Sequence, residues 1–449
     1  MYIGQLKLLE HAVDGSEPAS SISFAVLQLI TNNFSDELII GRGGCGVVYK
    51  GILTNRIIAV KKLFNRHTFD DKMFHQEVKS MMIVNHQNTV RFLGYCSHTE
   101  EKAMELQGNV IMAQIRERLL CFEYIGNGSL QRHLTDELRG LEWHTRYQII
   151  KGICEGLKHL HKEKRIIHMD LKPANILLDD HMVPKITDFG LSRLDDKSQT
   201  TSAERFLSLG YCAPEYLDYG KRSAKSDIYS LGVIIMELVT GSKLSPCCTK
   251  MQVYRRWNHR WNKSGEDRQL GHKQVAKCLD LAKRCIQMNP LDRPNICDII
   301  SYLNKMDSSD VSDSTECPEL EDMLGIEPLE IHLSFELNKQ ISCSIEVSND
   351  MDDYFAFRIS TTSLHPYYIN TNKGILPPRS KCGITITLEA LPHNQWRDEF
   401  SVQSTRVDGS LTDADITGDL FSEQPGKVVD DVNLVVILDV DGPPLPHEE

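Results

Sequence analysis

At 449 residues the chain exceeds what one hydrophobic core supports, since cores stop growing beyond about 250 residues, so two or three domains are expected. Net charge is -12, from 62 acidic and 50 basic residues with no basic block, which argues against an electrostatic grip on nucleic acid or on an anionic membrane and leaves proteins and small molecules as partners. The 13 cysteines are scattered with none paired at zinc-ligand spacing, as expected of reduced thiols in the cytoplasm.

Residues 1–34 read as a poorly constrained N-terminal lead-in. The opening MYIGQLKLLEHAVDGSEP has no basic region followed by an apolar core, so no secretory leader is expected, and Tyr2 stands where N-myristoylation needs glycine. The longest apolar run in the chain, Leu231–Val239, is half the length a bilayer requires. No transmembrane segment follows from it, and a cytoplasmic location is expected, with any recruitment to membranes left to partners.

Strand signals come next. GVVYKGIL and RIIAVKKL are rich in β-branched residues. They follow glycines at 41, 43 and 46 in GRGGCGVVYKG, where absent Cβ atoms would let backbone amides approach a triphosphate. The next element is another strand and not a helix, which argues against a dinucleotide fold. Lys61 ends the triplet Ile58, Ala59 and Val60, so its stem is expected in the core with its ammonium free for phosphate oxygens, and Glu77 on a following helix is the carboxylate expected to hold it. Ser97–Arg118 reads as an unusually long connection between two strands. Helical periodicity follows in RYQIIKGICEGLKHLHK, where Ile149, Ile150, Ile153, Leu157 and Leu160 share one face.

The stretch HMDLKPAN, residues 168–175, carries the chemistry. Asp170 can accept the proton of an attacking hydroxyl, Lys172 can neutralise a transferring phosphoryl group, and Asn175 can ligate magnesium, with Asp188 of DFG as the second metal ligand and Phe189 beside it as a packing switch. Glu215 of CAPEY is placed to pair with Arg293 of LDRPN.

Taken together and in this order, residues 35–303 resemble a eukaryotic protein kinase domain, and ITNNFSDELIIGRGGCGVVYKG, LLCFEYIGNGSLQRHL and SDIYSLGVIIMELVTG resemble in particular plant receptor-like kinases and their cytoplasmic relatives. The resemblance implies an α+β bilobal protein kinase fold that uses ATP and Mg2+ to phosphorylate serine or threonine of protein substrates. It implies that Gly41, Gly43 and Gly46 cover the nucleotide, that Val48, Ala59 and Leu177 sandwich adenine, and that Phe122 is a gatekeeper before a hinge of Glu123, Tyr124 and Ile125. Asp227 would brace the catalytic loop, and Lys172 matches the serine/threonine branch. One departure is Cys45, where relatives carry an aromatic residue.

Another is Met169. Many kinases place arginine before the catalytic aspartate to bind an activation-segment phosphate, a charge-assisted bond worth about 1.5–3 kcal/mol. Methionine cannot make it, so this is the pattern termed non-RD, and control by phosphate at Ser198, Thr200, Thr201 or Ser202 is expected to be weak.

Residues 304–325 form an acidic, serine-rich linker without lysine or arginine from Met306 to Met323, and too polar to bury much. Beyond it the period becomes two: Ile341, Cys343, Ile345 and Val347 alternate with polar residues, as do Ile384, Ile386 and Leu388. An all-β, immunoglobulin-like sandwich of seven strands is expected over 326–440, followed by a tail at 441–449. This part resembles the major sperm protein domain of VAMP-associated proteins, which implies a groove for acidic peptides bearing two phenylalanines. Thr361 and Thr362 match that groove's threonine pair, whereas Ser360 and Glu399 stand at its basic positions, and the family's membrane anchor is not found before the chain stops. Two alternatives remain beside the active kinase: a scaffold whose kinase fold only binds partners, and an adaptor driven by the sandwich.

Overall fold

The computed structural model describes residues 2–64, 71–106, 109–134, 140–189, 210–241, 250–264, 268–307, 324–334, 341–361, 363, 366–388, 397–422 and 429–439. They fall into two compact units, one within Met1–Cys247 and Gln269–Asp313, the other within Cys248–Arg268 and Ser314–Glu449.

The first unit opens with α1 (Tyr2–Asp14), β1 (Ser20–Ser21) and α2 (Phe24–Ile30), so the segment read as an unconstrained lead-in is folded. Leu6, Leu9 and Val13 follow one another at helical spacing, and together with Val26, Leu27 and Ile30 they join Ile58, Val60, Leu93 and Cys121 in one apolar cluster. Leu9, Val26 and Leu27 are at most 2% exposed, and burying side chains of this size is worth about 1.5–3 kcal/mol each. Helices this short are marginal alone, so that burial is what keeps them formed.

A six-stranded sheet follows, in the order β1-β5-β6-β4-β3-β2. β2 (Ile39–Gly43) and β3 (Gly46–Ile52) meet at a two-residue turn, Gly44 and Cys45. After β4 (Ile57–Leu63) and α3 (Asp71–Met82) come β5 (Phe92–Leu106) and β6 (Asn109–Glu123). The expected connection at 97–118 is no loop: both strands continue past the sheet and stay paired from Ser97 opposite Arg118 to Leu106 opposite Asn109. Val110, Ile111, Met112 and Ala113 run consecutively there instead of alternating with polar residues, so no period of two announces the hairpin.

In the helical half, α4 (Trp143–Lys158) buries the predicted stripe of Ile149, Ile150, Ile153 and Leu157, and Leu160 extends it in a π-helical turn, His159–Lys164. The hairpin β7 (Ile176–Leu178) and β8 (Pro184–Ile186) lies between this helix and α5 (Pro214–Tyr219). α6 (Ala224–Thr240) holds the apolar run Leu231–Val239 as a core helix, with Leu231, Val233, Ile234, Ile235 and Leu238 fully buried. α7 (Lys250–Ser264), although inside the predicted 35–303 range, belongs to the second unit. α8 (Arg268–Cys285) and α9 (Ile296–Asp307) close the first unit. Gly232 of α6 admits α8 at close range, since a Cβ there would lie 2.6 Å from Cys285 Cβ. The expected pair of Glu215 and Arg293 forms in this half, at 2.7 Å.

The second unit holds nine described strands, against the seven expected: β9 (Gly325–Glu327), β10 (Glu330–Ser334), β11 (Ile341–Asn349), β12 (Tyr354–Thr361), β13 (Tyr367–Ile369), β14 (Lys373–Leu376), β15 (Ser380–Leu388), β16 (Arg397–Val407) and β17 (Val429–Asp439). They form two sheets, β10-β17-β16-β12-β14 and β13-β15-β11-β9, antiparallel except for β10 beside β17. The alternation read from the sequence supplies the core between them, with Ile345, Val347, Ile384, Ile386 and Phe400 buried. Within this unit Arg255 of α7 makes a 2.6 Å ion pair with Asp430 and donates to Leu324 O at 3.0 Å. Residues 308–323 of the expected linker, Thr362, Ser198–Ser202 and the tail lie outside the described residues.

Candidate active site

The site begins with the β2–β3 hairpin. At Gly46 a Cβ would lie 2.2 Å from Lys62 O, so glycine is required there by the neighbouring strand. At Gly43 a Cβ would meet nothing within 4 Å, and at Gly41 only Val48 Cβ at 3.9 Å. Internal packing therefore does not explain these two glycines, and the open space over them suits an approaching phosphate chain.

Register places the apolar lining. Val48 lies opposite Lys61 across β3 and β4, and Ala59 lies opposite Phe122 across β4 and β6, so all four side chains are on one face of the sheet. Phe122 is 6% exposed and meets Phe92 edge to face at 5.5 Å. At the end of β6, the Glu123 N–H donates to Arg91 O at 3.0 Å and its carboxylate accepts from Arg91 N at 2.8 Å. Nothing among the described residues accepts the N–H of Ile125, itself 9% exposed, which leaves it for an acceptor on a ligand. Leu177 on β7 is bridged to Ser129 just beyond this hinge.

The polar groups form a connected set. Lys61 Nζ donates to Asp188 Oδ1 at 2.8 Å. Thr187, beside Asp188, donates its N–H to Asn175 O at 3.0 Å. Asn175 Nδ2 donates to Asp170 O at 2.8 Å and to Asp170 Oδ2 at 3.0 Å. Lys172 Nζ reaches Asp170 Oδ1 at 3.0 Å. Because the amide nitrogen of Asn175 is spent on Asp170, its Oδ1 points elsewhere, and with Asp188 Oδ2 it offers the hard oxygen donors that Mg2+ takes. The residues present therefore fit the ion.

Electrostatics agree with an ionised Asp188. Burial works to raise its carboxyl, and the Lys61 charge and hydrogen bond, helped by His168 and Lys172, outweigh that and hold it below the usual range. Glu77, expected to hold Lys61, is buried in α3 at 4% exposure but is not a partner of that ammonium. Phe189 is buried at 2%.

Asp227, fully buried on α6, holds the catalytic loop from below. Its Oδ2 accepts from His168 N at 2.7 Å and its Oδ1 from Met169 N at 2.8 Å. Met169 has φ +68°, a left-handed conformation costly for a non-glycine residue, so these two bonds compensate strain at the point where the chain turns to present Asp170. Sequence reasoning missed His161, whose Nε2 meets Asp227 Oδ2 at 2.7 Å, and the role of His168, whose Nε2 meets Thr187 O at 2.8 Å. Neither carries a period or spacing signal, because each partner is distant in the chain.

The model of the protein kinase domain matches residues 34–303, and that of the MSP (major sperm protein) domain matches residues 323–426. Among curated proteins of Arabidopsis thaliana, the chain is 36% identical over 305 residues to cysteine-rich receptor-like protein kinase 41, covering 63% of this chain and 43% of that protein. It is 36% identical over 299 residues to cysteine-rich receptor-like protein kinase 25, covering 63% and 42%. To the G-type lectin S-receptor-like serine/threonine-protein kinase SRK it is 34% identical over 305 residues, covering 62% and 34%. The chain thus spans less than half the length of these relatives.

Proposed function

Because the chain belongs to the protein kinase family, with a major sperm protein domain behind the kinase domain, we propose that it transfers the γ-phosphoryl group of ATP to serine or threonine hydroxyls of proteins. The observation that carries this reading is the set Lys61, Asp188, Asn175, Asp170 and Lys172, with Asp188 joined to Asn175 through the backbone N–H of Thr187.

In this reading Gly41 and Gly43 leave room over the phosphates, while Val48, Ala59 and Leu177 enclose adenine, and Phe122, Glu123, Tyr124 and Ile125 set its edge. Asp170 accepts the proton of the attacking hydroxyl. Lys172, already beside Asp170, neutralises charge on the phosphoryl group in flight. Lys61 exchanges Asp188 for phosphate oxygens and for Glu77, which frees Asp188 to join Asn175 at the metal. Asn175 and Asp188 would hold Mg2+, which would supply positive charge against the negative charge developing on the phosphate oxygens. Lys172 two places after Asp170 favours serine and threonine over tyrosine as acceptors.

The second unit serves protein interaction, with Ser360 and Glu399 altering the groove's charge relative to its family. No helix among the described residues is long and apolar enough to cross a membrane, and we place the protein in the cytoplasm with membrane recruitment through partners. Purified protein incubated with labelled ATP and magnesium tests the reading. Autophosphorylation is expected, reduced a hundredfold or more in Asp170→Asn, on the order of what a general base contributes. Binding of ATP without transfer, equal in both proteins, would instead favour the scaffold.

A further inference from the structure

Arg118 takes no part in the site described above, yet it is 5% exposed and makes five hydrogen bonds. It sits where β6 leaves the sheet, one residue before Leu119, the last to pair with β4. Three of its bonds stay inside the hairpin, to His98 O at 2.7 Å, Glu117 O at 3.0 Å and Thr99 Oγ1 at 3.2 Å. The other two reach Asp71 Oδ1, one from Nε at 3.0 Å and one from Nη2. Asp71 is the first residue of α3, and the Arg118 hydrogen bond, outweighing burial, holds its carboxyl below the usual range. The guanidinium also lies over the ring of Phe74, 5.9 Å from its centroid, and Phe74 in turn meets Tyr95 of β5 edge to face at 6.1 Å.

Both contacts fall in the first turn of α3. Glu77 is one turn further, three residues after Phe74 and so on the same face. The position of its carboxylate relative to Lys61 is thus set by how that first turn is pinned to the base of the hairpin. Lys61 is engaged by Asp188 in this structure, so its pairing with Glu77 depends on where α3 holds that carboxylate.

We propose that Arg118 is a positioning residue of the phosphoryl-transfer site, acting on the Lys61–Glu77 pairing through the first turn of α3. This role rests on the kinase reading. A planar fork suits it and a point charge does not, because one guanidinium must satisfy a carboxylate, a hydroxyl and two carbonyls in fixed directions while lying flat on a ring. A purely structural pin would change stability alike in every background, whereas a positioning residue acts through Glu77.

The test measures kcat and KM for ATP in the intact chain for Arg118→Gln, Arg118→Lys, Glu77→Gln and the Arg118→Gln/Glu77→Gln double variant. Hydrogen exchange of the α3 and α4 amides is followed alongside. Arg118→Gln is expected to lower kcat/KM for ATP at least fivefold, Arg118→Lys to restore less than half of it, and the double variant to fall less than twofold below Glu77→Gln alone. Exchange should rise at least tenfold in Phe74–Met81 with α4 unchanged. If Arg118→Gln does not fold, Asp71→Asn, whose carboxylate is half-exposed, takes its place with the same expectations. An active wild type with an unaffected Arg118→Gln, or losses that multiply in the double variant, overturns this role alone. A wild type without transfer activity overturns the kinase reading and this role with it.

Discussion

Replacing Arg293 by methionine isolates what the buried ion pair of the first unit contributes. Arg293 is 2% exposed and grips Glu215 with both ends of its fork, at 2.7 and 2.8 Å, while also donating to the carbonyls of Gln287, Lys225 and Met288. Ser226 Oγ adds a bond to Glu215 at 3.1 Å. Methionine fills the space but leaves a buried carboxylate without its cation, a change that costs about 3–5 kcal/mol. In urea, with a slope of about 2–3 kcal/mol/M, the midpoint should fall by roughly 1–2.5 M at neutral pH. The pH dependence follows from Glu215, where burial raises the carboxyl but the Arg293 hydrogen bond and charge prevail and hold it below its ordinary value. A depressed carboxyl contributes stability that is complete above the unfolded value, about 4.3 for glutamate, and is lost as pH falls through the lower folded value. Without Arg293 burial alone acts and raises that carboxyl, so the gap between wild type and Arg293→Met should narrow as pH falls from the raised value in the variant to the lowered one in wild type, and Glu215→Gln/Arg293→Met should be less damaged than Arg293→Met at pH 7. A loss under about 1 kcal/mol, or a gap that is flat with pH, refutes the assignment of this pair as the source.

The glycine turn offers a separation of function from stability. Gly43→Ala meets no protein atom and should leave the melting temperature within about 1 °C while raising KM for ATP. Gly46→Ala, driven against Lys62 O, should lower stability by about 1–3 kcal/mol, measured by the same melts. Alanine at Ser198, Thr200, Thr201 and Ser202 together should leave more than a tenth of wild-type activity in a kinase assay, since Met169 offers no cation to a phosphate there. In the second unit, Asn349 is fully buried, donates to the carbonyls of Asp353, Leu376 and Pro377, and accepts from Met351 N. Asn349→Ala should cost about 2–4 kcal/mol in urea unfolding, because four backbone groups lose their partner at once.

Much of this was legible in the residues. The order of the glycine turn, Lys61, the catalytic loop and the pair Glu215 and Arg293 located groups that the structure brings together, because each occupies a short word tied to one local shape. The period-two runs at Ile341–Val347 and Ile384–Leu388 located the sandwich core for a similar reason. What escaped was decided over distance. Lys61 has carboxylates sixteen and 127 residues away, and spacing cannot choose between Glu77 and Asp188. The hairpin at 97–118 is held by its backbone ladder and by Arg118, neither of which leaves an apolar pattern. Leu6, Leu9 and Val13 did carry helical spacing, but only their burial against β4 and β5 gives that spacing weight.

The membership of α7 in the second unit bears on how this protein could be cut, shuffled or rebuilt. A fragment trimmed at the acidic stretch would take the sandwich without Arg255 and strand Asp430, 8% exposed, whose carboxyl burial already pushes up despite that cation. The smallest portable piece is consequently discontinuous: a recombination event that moved the sandwich alone would deliver it incomplete, and a graft would need to bring a helix from elsewhere in the chain.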